Sequence, residues 1–210
     1  MIDTYWIVFI SAAVILNISP GPDMIYLISQ SMSSGKKVGF ASVLGLGSGA
    51  LLHTLFISLG ISAIIATSIT VFRVMKIIGA AYLFYLGAKA LIFGEIDFSD
   101  LDKKNDNKSF LRSYLNAIII DVTNPKVAIF FMAFLPQFYR ENGSSQISQF
   151  MLLGTIIVLI GFVIESLIVL LSEKIALVLR KKPIISKLID KLFGTILISL
   201  GIKLILEKQN

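Results

Sequence analysis

Two residues of opposite charge lie inside long apolar stretches, and each directly follows a proline. Asp23 ends the sequence Pro20-Gly21-Pro22-Asp23, and Lys126 ends Asn124-Pro125-Lys126. Such a carboxylate and ammonium group can bind the two charged ends of a zwitterion, with Asp23 on its ammonium group and Lys126 on its carboxylate. The alternative is an internal ion pair between the two side chains. The residue types alone leave both roles open.

The residues around each proline predict the start of a helix. Pro22 and Pro125 suit the first helical position, where the missing N–H costs nothing. Gly21 lets the chain turn, and Asn124 is a predicted N-cap. A helix start presents unpaired N–H groups and a partial positive charge, so a lysine there is unfavourable by roughly 0.3 kcal/mol or more. Lys126 at this position therefore favours a site that an anion visits.

Two further carboxylates are candidates for proton coupling. Glu165 lies deep in a later apolar stretch, where removal from water disfavours the charged form of a carboxylate. Asp121 precedes the second proline break by one helical turn, which directs it towards the same region. The alternative for Glu165 is a hydrogen bond to a neighbouring group, and the sequence leaves that alternative open.

One helical face combines small residues with the only histidine of the chain. Gly45, Gly49 and His53 follow each other at intervals of four, a spacing that favours close helix packing over proton relay. A serine hydrolase built on Ser48 is disfavoured, because His53 lies roughly 140° around the same helix and is poorly placed to act as its base. Phosphate loops and cysteine–histidine metal sets are absent from the sequence, so we expect no enzyme, no cofactor and no bound metal.

The composition indicates a membrane protein. Of the 210 residues, 56% are hydrophobic and 15% are charged, and the mean hydropathy is +0.86. Soluble domains are about 45–50% apolar and about 25% charged. The net charge of +6 is explained by basic loops between spans, so we expect no nucleic-acid partner. Without cysteine no disulfide framework is available, and the N-terminal residues lack the pattern of a cleaved signal peptide.

The sequence predicts an all-α, polytopic fold with six transmembrane helices. A helical span needs about 20 mostly apolar residues. Six segments qualify, at approximately 4–31, 40–66, 71–93, 112–137, 147–171 and 187–206. Residues 95–108 form a charged linker, which divides a single transporter domain of residues 1–210 into halves at about 1–94 and 109–210. The two prolines break spans one and four, which only protein or a wet cavity tolerates in a bilayer.

The distribution of lysine and arginine predicts the orientation in the membrane. Loops 1–2, 3–4 and 5–6 with their helix ends hold thirteen basic residues, whereas the opposite side holds five, which are Arg73, Lys76, Arg140, Lys203 and Lys208. Excess basic charge marks the cytoplasmic side. Both termini are therefore predicted to lie outside the cell.

Weak internal similarity supports two related halves. Leu86-Gly87-Ala88-Lys89 in span three resembles Leu200-Gly201-Ile202-Lys203 in span six, at a shift of 114 residues, and the two proline breaks are 103 residues apart. An odd number of spans per half forces the second copy to insert upside down. The prediction is two inverted three-helix repeats, a plan that many secondary carriers share.

The chain resembles the lysine exporter (LysE/RhtB) family of bacterial amino-acid efflux carriers. The resemblance rests on the two proline motifs, on Leu135-Pro136-Gln137-Phe138, on Gly79-Ala80-Ala81-Tyr82-Leu83 and on Gly194 with Leu200-Gly201. It covers nearly the whole chain. It implies a six-span exporter in the bacterial inner membrane that is driven by the proton gradient.

Residues and resemblance together lead to one expected function. We expect proton antiport of small neutral amino acids such as threonine or homoserine, with Asp23 and Lys126 on the substrate and Glu165 and Asp121 on protons. The expected partners are an amino acid, protons and the lipid bilayer, and a homo-oligomer stays open. The alternatives are a cation or metal exporter, against which Lys126 argues, and a membrane enzyme or scaffold.

Overall fold

A computed structural model describes residues 4–19, 21–67, 69–93, 109–140, 143–181 and 183–206. All regular structure in these ranges is helical, which confirms the predicted all-α class. Pro20 and the predicted linker at 95–108 lie outside the described residues.

Nine α-helices follow each other along the described chain. They are α1 (Thr4–Ile18), α2 (Pro22–Ser34), α3 (Lys36–Thr67), α4 (Ile69–Phe93), α5 (Phe110–Thr123), α6 (Pro125–Ile129), α7 (Gln146–Leu170), α8 (Ser172–Lys181) and α9 (Pro183–Leu206). A π-helical turn at Phe130–Phe134 and a 3-10 turn at Leu135–Phe138 continue α6. Pro136 has no N–H for the carbonyl four residues earlier, so the α-helical path that ended at Ile129 does not resume there.

Length and composition identify two continuous membrane spans among the described residues. They are Lys36–Gly60 within α3 and Gln146–Leu170, which is α7. Two bent helix pairs also qualify, Tyr5–Ile18 with Pro22–Ser34 at 54° and Phe110–Thr123 with Pro125–Phe138 at 51°. The number of candidate spans is therefore two, or four if each bent pair is one span. Predicted spans three and six fall on α4 and α9, and the six-helix repeat arrangement stays a prediction.

Local signals explain where the helices begin and end. Ser109 and Ser145 cap α5 and α7, because each side-chain oxygen accepts a hydrogen bond from the N–H three residues later. Gly35 separates α2 from α3 with a φ of 84°, a backbone conformation that other residues rarely adopt.

An aromatic core holds the second bent pair against α1. The ring of Phe134 lies 6.2 Å from Phe9, 4.5 Å from Phe130 and 4.6 Å from Phe138, measured between centroids, and all four side chains are buried. Aromatic pairs at such distances are stabilised beyond the area that they bury. This packing fixes the chain that follows the second break relative to the first span.

Glycines allow α4 and α9 to pack closely. A methyl group at Gly87 would lie 2.7 Å from the carbonyl oxygen of Gly194, and one at Gly201 would lie 3.4 Å from that of Ala80. The two contacts are equivalent under a shift of 114 residues, which takes Gly87 to Gly201 and Ala80 to Gly194. Each helix thus contacts the other through equivalent positions.

Candidate functional site

The two proline breaks lie against each other. Gly21 is the extended N-cap of α2, with a φ of −165°. A side chain at Gly21 would collide with Asp23 and would lie 2.9 Å from the Nζ atom of Lys126. Glycine is required here because the charged residue of the second break approaches the backbone of the first.

Asp23 and Lys126 form a buried ion pair. The Lys126 Nζ atom donates to both carboxylate oxygens, at 2.9 Å to Oδ2 and 3.2 Å to Oδ1. The two side chains are 4% exposed for Lys126 and 13% for Asp23. Of the two roles that the sequence left open, mutual pairing is thus the arrangement in this structure.

Lys126 also bonds to the backbone at the first break. Its Nζ atom donates to the carbonyl oxygen of Ser19 at 3.0 Å and, at 3.5 Å, to that of Leu16. These two carbonyl groups lie at the C-terminal end of α1, where a cation is favoured by the helix dipole. The sequence places Lys126 only at its own helix start, so this favourable contact with another helix was missed.

The second break has its own capping contacts. Asn124 is the N-cap of α6, as predicted, and its Oδ1 atom accepts from the Lys126 N–H at 3.0 Å. The Nε2 atom of His53 lies 3.3 Å from the carbonyl oxygen of Asp121, at the end of α5. Because a carbonyl oxygen only accepts, Nε2 is the protonated nitrogen of this contact. His53 therefore holds the break as well as packing its ring on Phe131.

Glycines on α3 and α7 admit polar side chains that precede the two breaks. A methyl group at Gly49 would lie 2.7 Å from the Oδ2 atom of Asp121, and one at Gly161 would lie 2.6 Å from the Oδ1 atom of Asn17. Asn17 was missed in the sequence. Its position five residues before Pro22, close to the four residues that separate Asp121 from Pro125, is the signal that points to it.

These side chains line one small cavity between α1, α2, α3, α5, α6 and α7. Its polar lining residues are Asn17, Asp23, Asp121 and Glu165, and apolar side chains such as Phe131, Ile157 and Phe162 complete the wall. The space open to the centre of a water molecule is about 20 Å³, room for about one water. The cavity of this conformation is too small for an amino acid.

The carboxylates of the cavity outnumber its cations. Asp23 is paired with Lys126, whereas the ion pairs found in the described part of the chain include neither Asp121 nor Glu165. The Oδ2 atom of Asp121 is buried and has no hydrogen-bond partner there. The structure thus brings Asp23, Lys126, Asp121 and Glu165 to one place.

The described residues give no support to metal binding or to hydrolysis. No group of three or more His, Asp or Glu side chains in the ranges searched is arranged to hold a metal ion. Ser48 donates to the carbonyl oxygen of Leu44 and contacts the Tyr114 hydroxyl at 3.0 Å, whereas His53 bonds at the second break. Ser48 and His53 therefore have separate partners.

Comparison with known proteins identifies relatives over nearly the whole chain. The LysE type translocator family matches residues 14–208. The homoserine/homoserine lactone efflux proteins of Salmonella typhimurium and Salmonella typhi are 29% and 28% identical to the chain over 198 residues, which are 94% of this chain and of each relative. The uncharacterized membrane protein YrhP of Bacillus subtilis is 30% identical over 93% of this chain and 95% of its own.

No solved structure matches the chain. The family match covers more than nine-tenths of the sequence and includes both proline breaks. The efflux proteins among the relatives are transporters. The chain therefore belongs to the LysE type translocator family, as a multi-pass membrane transporter and not an enzyme.

Proposed function

We propose that this protein exports small neutral amino acids, such as threonine or homoserine, in exchange for protons. The observation that carries the proposal is the buried Asp23–Lys126 pair, which joins two broken spans beside a cavity. Ionisable groups inside a membrane are costly and mark transport pathways. The two Salmonella relatives are homoserine/homoserine lactone efflux proteins, which supports the same direction of transport.

A zwitterion binds by exchange with the internal pair. The substrate carboxylate takes the place of Asp23 on Lys126, and the substrate ammonium group takes the place of Lys126 on Asp23. Each charge keeps a partner of opposite sign throughout, which avoids the cost of a stranded buried charge. The empty state is stable for the same reason, since Asp23 and Lys126 then neutralise each other.

Glu165 and Asp121 carry the coupling protons. Both line the cavity, and the ion pairs of the described residues leave both without a cation. A carboxyl group with a proton is neutral, so it crosses an apolar environment at far lower cost than a carboxylate. Protons bound from outside are released to the cytoplasm as the substrate leaves.

Two inverted repeats, residues 1–94 and 109–210, provide alternating access. In support of this arrangement, the bends at the two breaks are 54° and 51°. Gly87 contacts Ile198 and Gly201 contacts Phe84, and the same shift of 114 residues relates these two contacts. Rocking of one repeat against the other opens the closed cavity to each side in turn.

The predicted location is the bacterial cytoplasmic membrane with both termini outside. The excess of basic residues in loops 1–2, 3–4 and 5–6 supports this orientation. Substrate then binds from the face that carries these loops.

Efflux of radiolabelled threonine and homoserine from preloaded cells tests the proposal. Cells that overproduce the protein are expected to lose label faster than cells with an empty vector. The variant Glu173→Gln, which changes an exposed carboxylate on α8, serves as the matched control and is expected to match the wild type. Equal rates in producing and empty-vector cells would refute the proposed function.

A further inference from the structure

Three carboxyl groups line the cavity, and the described residues offer one lysine that contacts one of them. The carboxyl groups belong to Asp23, Asp121 and Glu165, and the lysine is Lys126. The Nζ atom of Lys126 is already bonded to both oxygens of Asp23 and to two carbonyl oxygens of α1. Asp121 and Glu165 are therefore available to bind a proton or a cation from outside the protein.

Asp121 is buried, fixed in place and unsatisfied. It is 5% exposed, its Oδ2 atom has no hydrogen-bond partner among the described residues, and it lines the cavity. Gly49 leaves room for this carboxyl group, and His53 holds the backbone carbonyl of the same residue. A buried polar atom without a partner is costly, so a persistent one indicates a ligand that supplies the missing bond.

Asn17 supplies a neutral acceptor to the same cavity. Its Nδ2 atom donates to the carbonyl oxygen of Ala13 at 2.8 Å, which leaves Oδ1 as the acceptor of the side chain. Asn17 and Gly161, against which Oδ1 lies, both line the cavity. An ammonium group has three N–H donors, and three residues here offer acceptor oxygens.

We propose that Asp121, Glu165 and Asn17 form an ammonium subsite that works independently of the Asp23–Lys126 pair. The inference rests on the proposed export function and deepens it. The ligands that fit are primary amines with one positive charge and no carboxylate, such as amino-acid amides, esters and lactones. Such a cation replaces one proton on the two carboxyl groups, so the net charge of the site stays constant and Lys126 needs no anion.

The charged groups around the subsite set its competition with protons. Asp23 of α2 and Lys126 of α6 compensate each other, and His53 of α3 bonds to the backbone of Asp121. A proton and an ammonium group therefore compete for the carboxyl groups of Asp121 on α5 and Glu165 on α7. Amine binding therefore weakens as protons fill these two carboxyl groups.

Calorimetric binding to the full-length protein in lipid nanodiscs tests the subsite. The probes are L-threoninamide and L-threonine at roughly pH 6.5, where an α-amino group with a pKa of about 7.7–8.0 is protonated. We expect the wild type to bind both probes. Asp121→Asn is expected to weaken binding of the amide by about 30-fold or more, as for truncation of one partner of a buried charge pair. Glu165→Gln acts in the same direction, and Glu173→Gln is the control.

The double variant Asp23→Asn with Lys126→Met separates the two subsites. We expect it to bind the amide within about threefold of the wild type and to lose threonine, because only threonine needs the charged pair. Wild-type binding of threonine without the amide, or unchanged amide binding in both Asp121→Asn and Glu165→Gln, would overturn the subsite and leave the export function standing. A wild-type chain that exports no amino compound would refute the export function.

Discussion

Removal of the Lys126 charge tests the buried pair in two ways. Lys126→Met strands the Asp23 carboxylate, and losing one partner of a buried ion pair costs about 3–5 kcal/mol. The change also removes the hydrogen bonds from Nζ to the carbonyl oxygens of Ser19 and Leu16, and a hydrogen bond to a charged group contributes about 1.5–3 kcal/mol. Asp23→Asn costs less, about 1–3 kcal/mol, because Lys126 keeps both carbonyl partners and gains an amide oxygen.

The double variant Asp23→Asn with Lys126→Met contains no stranded charge. We therefore expect it to be more stable than Lys126→Met alone, because a neutral amide replaces the stranded carboxylate, whose uncompensated burial costs about 3–5 kcal/mol. Stability is measured as the unfolding transition of purified protein in detergent, and membrane abundance is measured in parallel. Lys37→Met, a change at an exposed lysine of α3, is the matched control.

The same three variants separate substrate binding from internal pairing through efflux. If the pair also binds substrate, the double variant regains abundance and still fails to export threonine. Lys126→Met as stable as the wild type, or a double variant no more stable than Lys126→Met, would refute the energetic reasoning. Threonine export restored in the double variant would end the role of the pair in substrate binding.

Three further predictions address packing, capping and orientation. Gly49→Ala is expected to lower the free energy of unfolding by about 1–3 kcal/mol and to displace the Asp121 carboxyl group. Gly60→Ala, where the added methyl group meets open space, is the control and is expected to leave unfolding and efflux unchanged. Equal effects of the two changes would contradict the site geometry. His53→Ala is expected to lower stability by about 0.5–1.5 kcal/mol through the lost hydrogen bond to the Asp121 carbonyl, which keeps its bond from the Asn124 N–H. An unchanged unfolding transition would show that the His53 contact is not made. Single cysteines at positions 34, 105 and 143 of this cysteine-free chain test its orientation with an impermeant thiol reagent in intact cells. Only the cysteine at Gly143 is expected to react, because the basic loops face the cytoplasm. Labelling at Asn105 would reverse the predicted orientation.

The broken spans were predictable from the sequence because proline and asparagine act locally. Pro22 and Pro125 restrict the backbone at their own positions, and Asn124 caps the helix that it begins. The apolar lengths of α3 and α7 follow from composition alone. Such features depend on a few neighbouring residues, so a single sequence contains them.

The contacts between distant elements were not predictable in the same way. The bonds of Lys126 to the end of α1 join residues more than 100 positions apart, as the numbering of Ser19 and Lys126 shows. The bond of His53 to the Asp121 carbonyl also depends on the relative position of two helices. The sequence indicated that these charged and polar groups need partners, but the partners are determined by tertiary packing.

Proton-driven accumulation of labelled threonine in vesicles tests whether the Asp23–Lys126 pair takes part in proton-coupled export. Purified protein is reconstituted with its basic loops facing the external medium, so that export from the cell corresponds to uptake. An interior made acidic relative to the medium is expected to drive accumulation of threonine, and a protonophore is expected to abolish it. The double variant Asp23→Asn with Lys126→Met is expected to show no accumulation. Accumulation that is independent of the proton gradient, or equal in the wild type and the double variant, would contradict these expectations.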